Sequence, residues 1–247
     1  MHRTGGAGPW PGGHALPRPH LADQLWEDAV FLHWRLPPSV VAPYLPPRVE
    51  VDVVDGSAWV GLIGFRMRRT RLGTVVPLPH LGSFAEVNVR VYSRGPDGSR
   101  GVVFLSLDAP RLPVVLGARA AGVPYVWSRC RAAATGGPAP VRGYAVERRR
   151  GGARSSFSVR PDLARRAEDP LSLELTARFG AHHRAAGATW WVPVAHRPWP
   201  LYPARPVHLE DGLLRAAGLT VEGPPESVLF SPGVRARLGR PSVLRTA

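Results

Sequence analysis

The sequence predicts an α+β fold built around a large antiparallel sheet with a few short helices. The chain has 247 residues and is 44% apolar, which is enough to bury one sizeable core. Most apolar segments follow one another through short turns instead of alternating with helices, and this order is typical of antiparallel sheets. We therefore expect one domain over residues 21–247.

The first 20 residues are expected to form a disordered tail. They contain five Gly and four Pro and show no hydrophobic period, so they offer little apolar surface for packing. They also lack the apolar segment of a secretory signal, and no apolar run of the chain reaches the length of a membrane span. Cys130 is the single cysteine, which excludes a disulfide framework. We expect a soluble cytoplasmic protein without membrane contact.

The N-terminal half is predicted to consist mainly of strands. Pro37-Pro38 is expected to start a short helical turn after the first strand. Asp55-Gly56 and Pro96-Asp97-Gly98 are typical turn sequences, so each predicts a hairpin between its flanking strands. The predicted strands are 31–36, 49–54, 57–65, 86–93 and 101–109.

The C-terminal half mixes strands with helices. A helix over 169–180 is indicated by Asp169 as N-cap, Pro170 at the first helical position and Gly180 as a terminator. Gly151-Gly152 predicts a further hairpin. The remaining predicted elements are helices over 112–121 and 208–218 and strands over 125–132, 141–149, 154–159 and 189–196.

The strong positive charge has a compositional origin. The net charge is +14, but the sequence contains no lysine, so every Lys/Arg position is Arg. Arg residues are scattered, and two denser groups, 66–71 and 148–154, flank predicted turns. Net charge alone speaks to non-specific attraction and not to a site. A nucleic-acid-binding module is therefore the least favoured of three function classes.

The most informative segment is 84–92, FAEVNVRVY. Alternation places Glu86, Asn88 and Arg90 on one face of a strand, between Phe84 and Tyr92, and places valines on the other. The polar face either lines a sheltered cavity or faces solvent, and the alternation leaves both interpretations open. Along the strand, Glu86 and Arg90 are about 13 Å apart, so they cannot pair directly.

Other candidate residues lie outside this strand. Asp108 is expected to pair with Arg119 on the following helix and to join strand to helix, with Ser106 on the face of Asp108. His196, in a Pro-fixed loop with Trp199, is a candidate for ligand contact because imidazole titrates near neutral pH. No P-loop, nucleophile elbow or dinucleotide fingerprint occurs. No spacing predicts a metal site, and no cofactor is expected.

Several long segments resemble the YqjF-like family, a bacterial domain of unknown function that is grouped by fold with acetoacetate decarboxylase. The resemblance runs from about residue 25 to residue 238. It implies a curved antiparallel sheet that closes into a cone-like barrel over an internal cavity. The segments are FLHWRLPPSVVAPYLPPRVEVDVVDGSAWVGLIGF, FAEVNVRVYS, GVVFLSLDA, GVPY, HRPWPLYPA and LFSPGVRARLG.

The same resemblance excludes the decarboxylase mechanism for this chain. That mechanism needs a lysine amine that forms a Schiff base. The similar stretch here is Arg119 followed by Gly122-Val123-Pro124 and Tyr125, and the chain holds no lysine at these or other positions. Glu86 resembles the acidic residue of the decarboxylase pocket, so the resemblance implies a cavity without its nucleophile.

Three functions follow from the sequence. The first is an acid–base enzyme on a small carbonyl or carboxylate compound, with Glu86 and Tyr125 as catalytic residues. The second is a non-catalytic small-molecule binder, and the third is the nucleic-acid module. The expected partner is an anionic or carbonyl-containing small molecule, whereas the oligomeric state, including a homo-oligomer, stays open. The predicted ligand-binding residues are Asn88, Arg90, Arg119 and His196.

Overall fold

Most of the residues that the structure describes belong to, or connect, the strands of one fourteen-stranded sheet. The structure is a computed structural model that describes residues 16–73, 76–137 and 139–244. Residues 1–15 of the predicted tail lie outside the described residues. Among the described residues, no helix has the length and apolarity needed to cross a membrane.

The strands are, in chain order, β1 (Ala22–Leu36), β2 (Glu50–Val51), β3 (Ala58–Leu72), β4 (Val76–Pro77), β5 (Phe84–Arg94), β6 (Arg100–Ala109), β7 (Tyr125–Ala134), β8 (Arg142–Arg148), β9 (Arg154–Pro161), β10 (Gly180–Ala185), β11 (Ala188–His196), β12 (Tyr202–Asp211), β13 (Ser227–Leu238) and β14 (Ser242–Val243). The helices are α1 (Pro38–Val41), which continues into a 3₁₀ turn (Ala42–Tyr44), α2 (Leu112–Ala120), α3 (Pro170–Thr176) and α4 (Leu213–Ala216).

The sheet is strongly curved, and its strands pair to form two closed rings. Nine strands of the described chain, in the order β6-β7-β8-β9-β12-β13-β1-β3-β5, form one ring that the β5–β6 pairing closes. A second ring shares β6, β5, β3, β1 and β13 and is completed by β10 and β11. The predicted α+β fold with a large curved sheet is confirmed. Its pairing is mainly antiparallel, but β6 runs parallel to both β7 and β10.

The two rings have different interiors because alternate residues of the shared strands point into different compartments. The nine-stranded ring holds the main packed core, to which the β5 valines 87, 89 and 91 contribute. The opposite face of β5 looks into the second ring. Both faces of a shared strand are thus covered, which explains the nearly continuous apolar run 58–65 of β3. Gly64 in that run is needed because a Cβ there would lie 2.5 Å from the Tyr144 ring.

Local turn signals predicted several elements correctly. The β5–β6 and β8–β9 hairpins and helix α2 are confirmed. The N-cap of α3 is also confirmed, since the Asp169 carboxylate accepts a hydrogen bond of 2.9 Å from the Ser172 backbone N–H. That helix ends at Thr176, however, and Gly180 starts β10 instead of ending α3.

Other boundaries differ from the prediction because tertiary pairing overrides local pattern. Strand β1 starts at Ala22, not at residue 31, and two register shifts between 23 and 30 interrupt its alternation. Segment 49–54 contributes only the short β2, which pairs with β5 and not with β3. The turn at Asp55-Gly56 closes a single bridge between Val54 and Ser57.

The predicted helix 208–218 is mostly wrong. Residues 208–211 extend β12, whose backbone pairs with β9, and only Leu213–Ala216 is helical. The Asp211 carboxylate accepts hydrogen bonds from the Leu213 and Leu214 N–H groups, so the helix signal is real but belongs to one short turn.

Candidate functional site

The second ring encloses a cavity of about 730 Å³. Its wall comes from β1, β3, β5, β6, β10 and β11, and from the last turn of α2 with the loop that follows. Most of the wall is apolar and rich in aromatic rings. The large apolar side chains on it include Trp26, Phe31, Phe65, Met67, Trp190 and Trp199.

Strand β5 supplies the polar part of the wall. Glu86, Asn88 and Arg90 all line the cavity, opposite Phe65, Ile63 and Gly61 of β3 in register. Glu86 and Asn88 are buried, each 2% exposed. The alternation of segment 84–92 therefore places its polar face against an enclosed space and its valines in the packed core.

Tyr125 positions the Glu86 carboxyl group. Tyr125 begins β7 next to Leu107 of the parallel strand β6, and its hydroxyl donates a hydrogen bond of 2.8 Å to Glu86 Oε2. The parallel pairing thus brings a residue that is 39 positions away in sequence to the polar face of β5.

Burial makes Glu86 a group that titrates near neutral pH. Desolvation is the largest influence and raises the pKa of Glu86 from 4.5 to about 7. The Asp108 charge raises it further, while hydrogen bonds from Tyr125 and Asn88 act in the opposite direction. Burial and the nearby Glu86 charge also hold the pKa of Tyr125 well above 10, so its hydroxyl stays a donor at neutral pH.

Arg90 brings a positive charge to the same wall. Its guanidinium carbon lies 5.8 Å from the Phe31 ring centroid and 5.6 Å from that of Tyr92. Its Nε is buried without a hydrogen-bond partner, as is Oδ1 of Asn88. These two atoms are polar groups on the wall that the described protein atoms do not satisfy.

Arg119 lies where the last turn of α2 meets the cavity, and its side chain is exposed. The predicted ion pair between Asp108 and Arg119 is wrong. Asp108 instead binds Arg148 of β8, with distances of 2.9 Å and 3.0 Å to Nε and Nη2, and accepts a 2.6 Å hydrogen bond from Ser128. Ser106 also bonds to Arg148. The β7–β8 hairpin reaches Asp108, whereas α2 directs Arg119 to the cavity.

His196 is not among the residues that line the cavity. Its Nδ1 is 2.7 Å from the Arg197 carbonyl oxygen and its Nε2 is 3.4 Å from that of Arg178. The ring packs against Trp26, Phe179 and Trp199, and burial lowers its pKa. This geometry places His196 behind the wall, where its ring packs against Trp199.

His183 is a cavity residue that the sequence analysis did not select. Adjacent residues of a strand point to opposite faces. His182 accordingly points away and is buried against Ser93, with 2.9 Å between Nδ1 and Oγ. The sequence analysis predicts no strand over residues 180–185, and it is the strand geometry of β10 that directs His183 to the cavity and His182 away from it. The described residues hold no cluster of three or more His, Cys, Asp or Glu that suits a metal ion.

Comparisons with known proteins agree with this architecture. A family profile, DUF2071, described as an uncharacterized conserved protein, matches residues 23–235. The uncharacterized protein YqjF of Bacillus subtilis is 28% identical over 209 residues, which cover 83% of each chain.

Two solved structures share the fold at low sequence identity. Acetoacetate decarboxylase from Legionella pneumophila matches with a TM-score of 0.64 and 13% identity, over 98% of this chain and 93% of that one. The enduracididine biosynthesis enzyme MppR, solved in complex with pyruvate, matches with a TM-score of 0.62 and 15% identity, over 91% and 90% of the two chains.

Proposed function

The chain belongs to the DUF2071 family of uncharacterized conserved proteins, and we propose that it is an enzyme whose cavity binds a small carbonyl or carboxylate compound and whose Glu86 transfers a proton. One observation carries this proposal. Glu86 is a buried carboxyl group on the cavity wall, held by Tyr125 and titrating near pH 7. A group with such a pKa is suited to general acid–base catalysis at neutral pH.

In this mechanism, Tyr125 holds the Glu86 carboxylate in place, and the carboxylate transfers the proton. Tyr125 occupies Oε2 and fixes the plane of the carboxylate. The carboxylate then accepts a proton from a ligand carbon next to a carbonyl group and returns it later in the reaction. Glu86 is 2% exposed and the wall around it is mostly apolar, which strengthens its electrostatic interactions with a bound ligand.

This chemistry proceeds without a covalent imine. A Schiff base needs a lysine amine, and the chain has no lysine. The pyruvate complex of MppR shows a related fold with a bound small acid. That complex supports a small-molecule ligand for the present cavity and says nothing about which reaction follows.

A non-catalytic binder is the second candidate function. The predominantly apolar wall favours it, because such a surface binds ligands without needing any reactive group. The nucleic-acid module has no comparable feature in its support.

Proton exchange distinguishes the two candidates. In D₂O, the wild-type chain should incorporate deuterium next to the carbonyl group of a substrate drawn from a panel of ketones and of oxo acids whose oxo group lies at different distances from the carboxylate, as read by proton NMR. Loss of the base in Glu86→Gln should slow the exchange about 10²- to 10⁴-fold. The matched control is Glu222→Gln, which changes an exposed residue outside the cavity and should exchange like wild type. Ligand binding without exchange would favour the binder.

A further inference from the structure

We propose that the ligand is an extended oxo acid with an apolar alkyl or aryl body, whose carboxylate binds Arg90 and whose body lies along the aromatic wall. This inference rests on the proposed function for the choice of the cavity, and it adds the substrate class and its orientation. Three features of the described residues support it: an unbalanced charge, a second buried guanidinium close by, and the size and polarity of the cavity.

The unbalanced charge is that of Arg90. Within the described residues, the structure records no ion pair for its guanidinium, and its buried Nε has no hydrogen-bond partner. The neighbouring rings of Phe31 and Tyr92 reduce its contact with water. A guanidinium in such surroundings gains most from a carboxylate, because it can form two parallel charge-assisted hydrogen bonds with it.

A second guanidinium, that of Arg178, lies against the same Tyr92 ring as Arg90. Arg178 is 6% exposed and its guanidinium carbon is 4.8 Å from the Tyr92 ring centroid. Its ion pair is with Asp52, and Asp52 is shared with Arg100. Nη2 of Arg178 is buried without a partner.

The pKa of His33 responds to both guanidinium groups. His33 is fully buried and lies 2.7 Å from the Tyr92 hydroxyl. Burial first, and then the charges of Arg90 and Arg178, lower the pKa of His33 well below 6.5. His33 is therefore neutral at pH 7, so the positive charge on this part of the wall is that of Arg90.

The cavity is large for a three-carbon acid. Its volume of about 730 Å³ lies within the range of ~300–1,000 Å³ that is typical of sites for drug-sized ligands. Strand rise separates the Cα atoms of Glu86 and Arg90 by about 13 Å, and strand side chains stand roughly perpendicular to the sheet. A ligand that contacts both residues is therefore extended. Its body lies against apolar side chains such as Phe31, Phe65 and Met67.

Calorimetry with simple acids tests this inference on the full-length chain. Binding should strengthen about fourfold with each added methylene from butanoate to octanoate, because each methylene leaves water for the apolar wall. Octanoate should bind at least about tenfold more tightly than octanamide, which has the same body without the charge. Pyruvate should bind more weakly than octanoate.

Two variants locate the contact. Arg90→Gln should lose the preference for octanoate over octanamide while keeping its affinity for the amide. The matched control Arg215→Gln changes an exposed residue of α4 outside the cavity wall and should keep the preference. Should Arg90→Gln fail to fold by circular dichroism, the comparison of acid with amide in the wild type decides alone.

Equal affinities for octanoate and octanamide in the wild type, or no gain with chain length, would overturn the inference. So would an Arg90→Gln variant that folds and keeps the full preference for the acid. Proton exchange by the wild type, measured beside binding, separates this inference from the proposed function. Binding that follows the predicted pattern without any proton exchange would leave the inference standing and remove the proposed enzyme.

Discussion

At Glu86, burial and hydrogen bonding act on one carboxyl group in opposite directions. Desolvation favours the neutral form, whereas the hydrogen bonds from Tyr125 and Asn88 favour the charged form. Burial has the larger effect, and the pKa rises from 4.5 to about 7. A pKa difference of that size corresponds to about 3 kcal/mol of folding free energy.

This shift makes stability depend on pH in a defined direction. The folded pKa of Glu86 lies above the unfolded value, so its contribution is fully present below about pH 4.5 and is lost as the pH rises to about 7. Glu86→Gln removes this dependence. The free energies of unfolding of the two proteins should agree at pH 4, and at pH 8 the variant should be more stable by up to about 3 kcal/mol. Urea denaturation at a series of pH values measures the difference. A variant that is less stable at pH 8 would contradict the prediction.

The sequence could predict which residues of β5 share a face but not what covers that face. Period-2 alternation groups Glu86, Asn88 and Arg90 whatever lies opposite them. Whether a strand face meets solvent or a cavity depends on strands that are distant in sequence, and here on β10 and β11. Arg148 was missed as the partner of Asp108 for the same reason, because a hairpin 40 positions away supplies it.

At the scale of elements, the parallel pairing of β6 with β7 determines where two parts of the site lie. It places Tyr125 opposite Leu107 and Val126 opposite Asp108, so one junction carries both the donor to Glu86 and the buried ion pair. Asp108 is fully buried, and its partner Arg148 has a side chain that is 12% exposed.

Removing Arg148 should therefore be costly. Arg148→Met leaves the Asp108 charge buried with the hydroxyl of Ser128 as its remaining side-chain donor, and it should lower the free energy of unfolding by about 3–5 kcal/mol. Arg154→Met is the matched control, since its ion pair with Glu147 is largely exposed and its loss should change the free energy of unfolding far less. Urea denaturation compares the two. Equal losses would show that burial does not distinguish these ion pairs.

Elements with strong local signals were predictable, and elements defined by long-range pairing were not. The β8–β9 hairpin and the α3 N-cap follow from residues within a few positions of each other. Strand β13 escaped detection because Pro232 and Gly233 interrupt its pattern. Gly233 is required there, since at a φ of 131° a Cβ would meet the Trp26 carbonyl oxygen. Pairing with β1 and β12 stabilises the strand in spite of this irregularity.

At the scale of the whole molecule, five shared strands separate a packed compartment from one that contains a cavity. The nine-stranded ring contains the main core, and the smaller ring contains the cavity with Glu86 and Arg90 on its wall. Strand and turn signals predict the sheet, but its closure over a cavity was predicted only through the family resemblance. No local pattern encodes how far a sheet curves, because curvature results from the register of all the strands together.

The raised pKa of Glu86 is a property of this whole arrangement, because strands from both ends of the chain exclude water from one carboxyl group. Titration of the Glu86 carboxyl carbon by ¹³C NMR, assigned by comparison with Glu86→Gln, measures it directly. The native chain should titrate at about pH 7, and the same carbon in the urea-unfolded chain should return to the ordinary value of about 4.5. A native carboxyl group that titrates near 4.5 would contradict the account, since it would place Glu86 in contact with water and remove the acid–base group from the cavity.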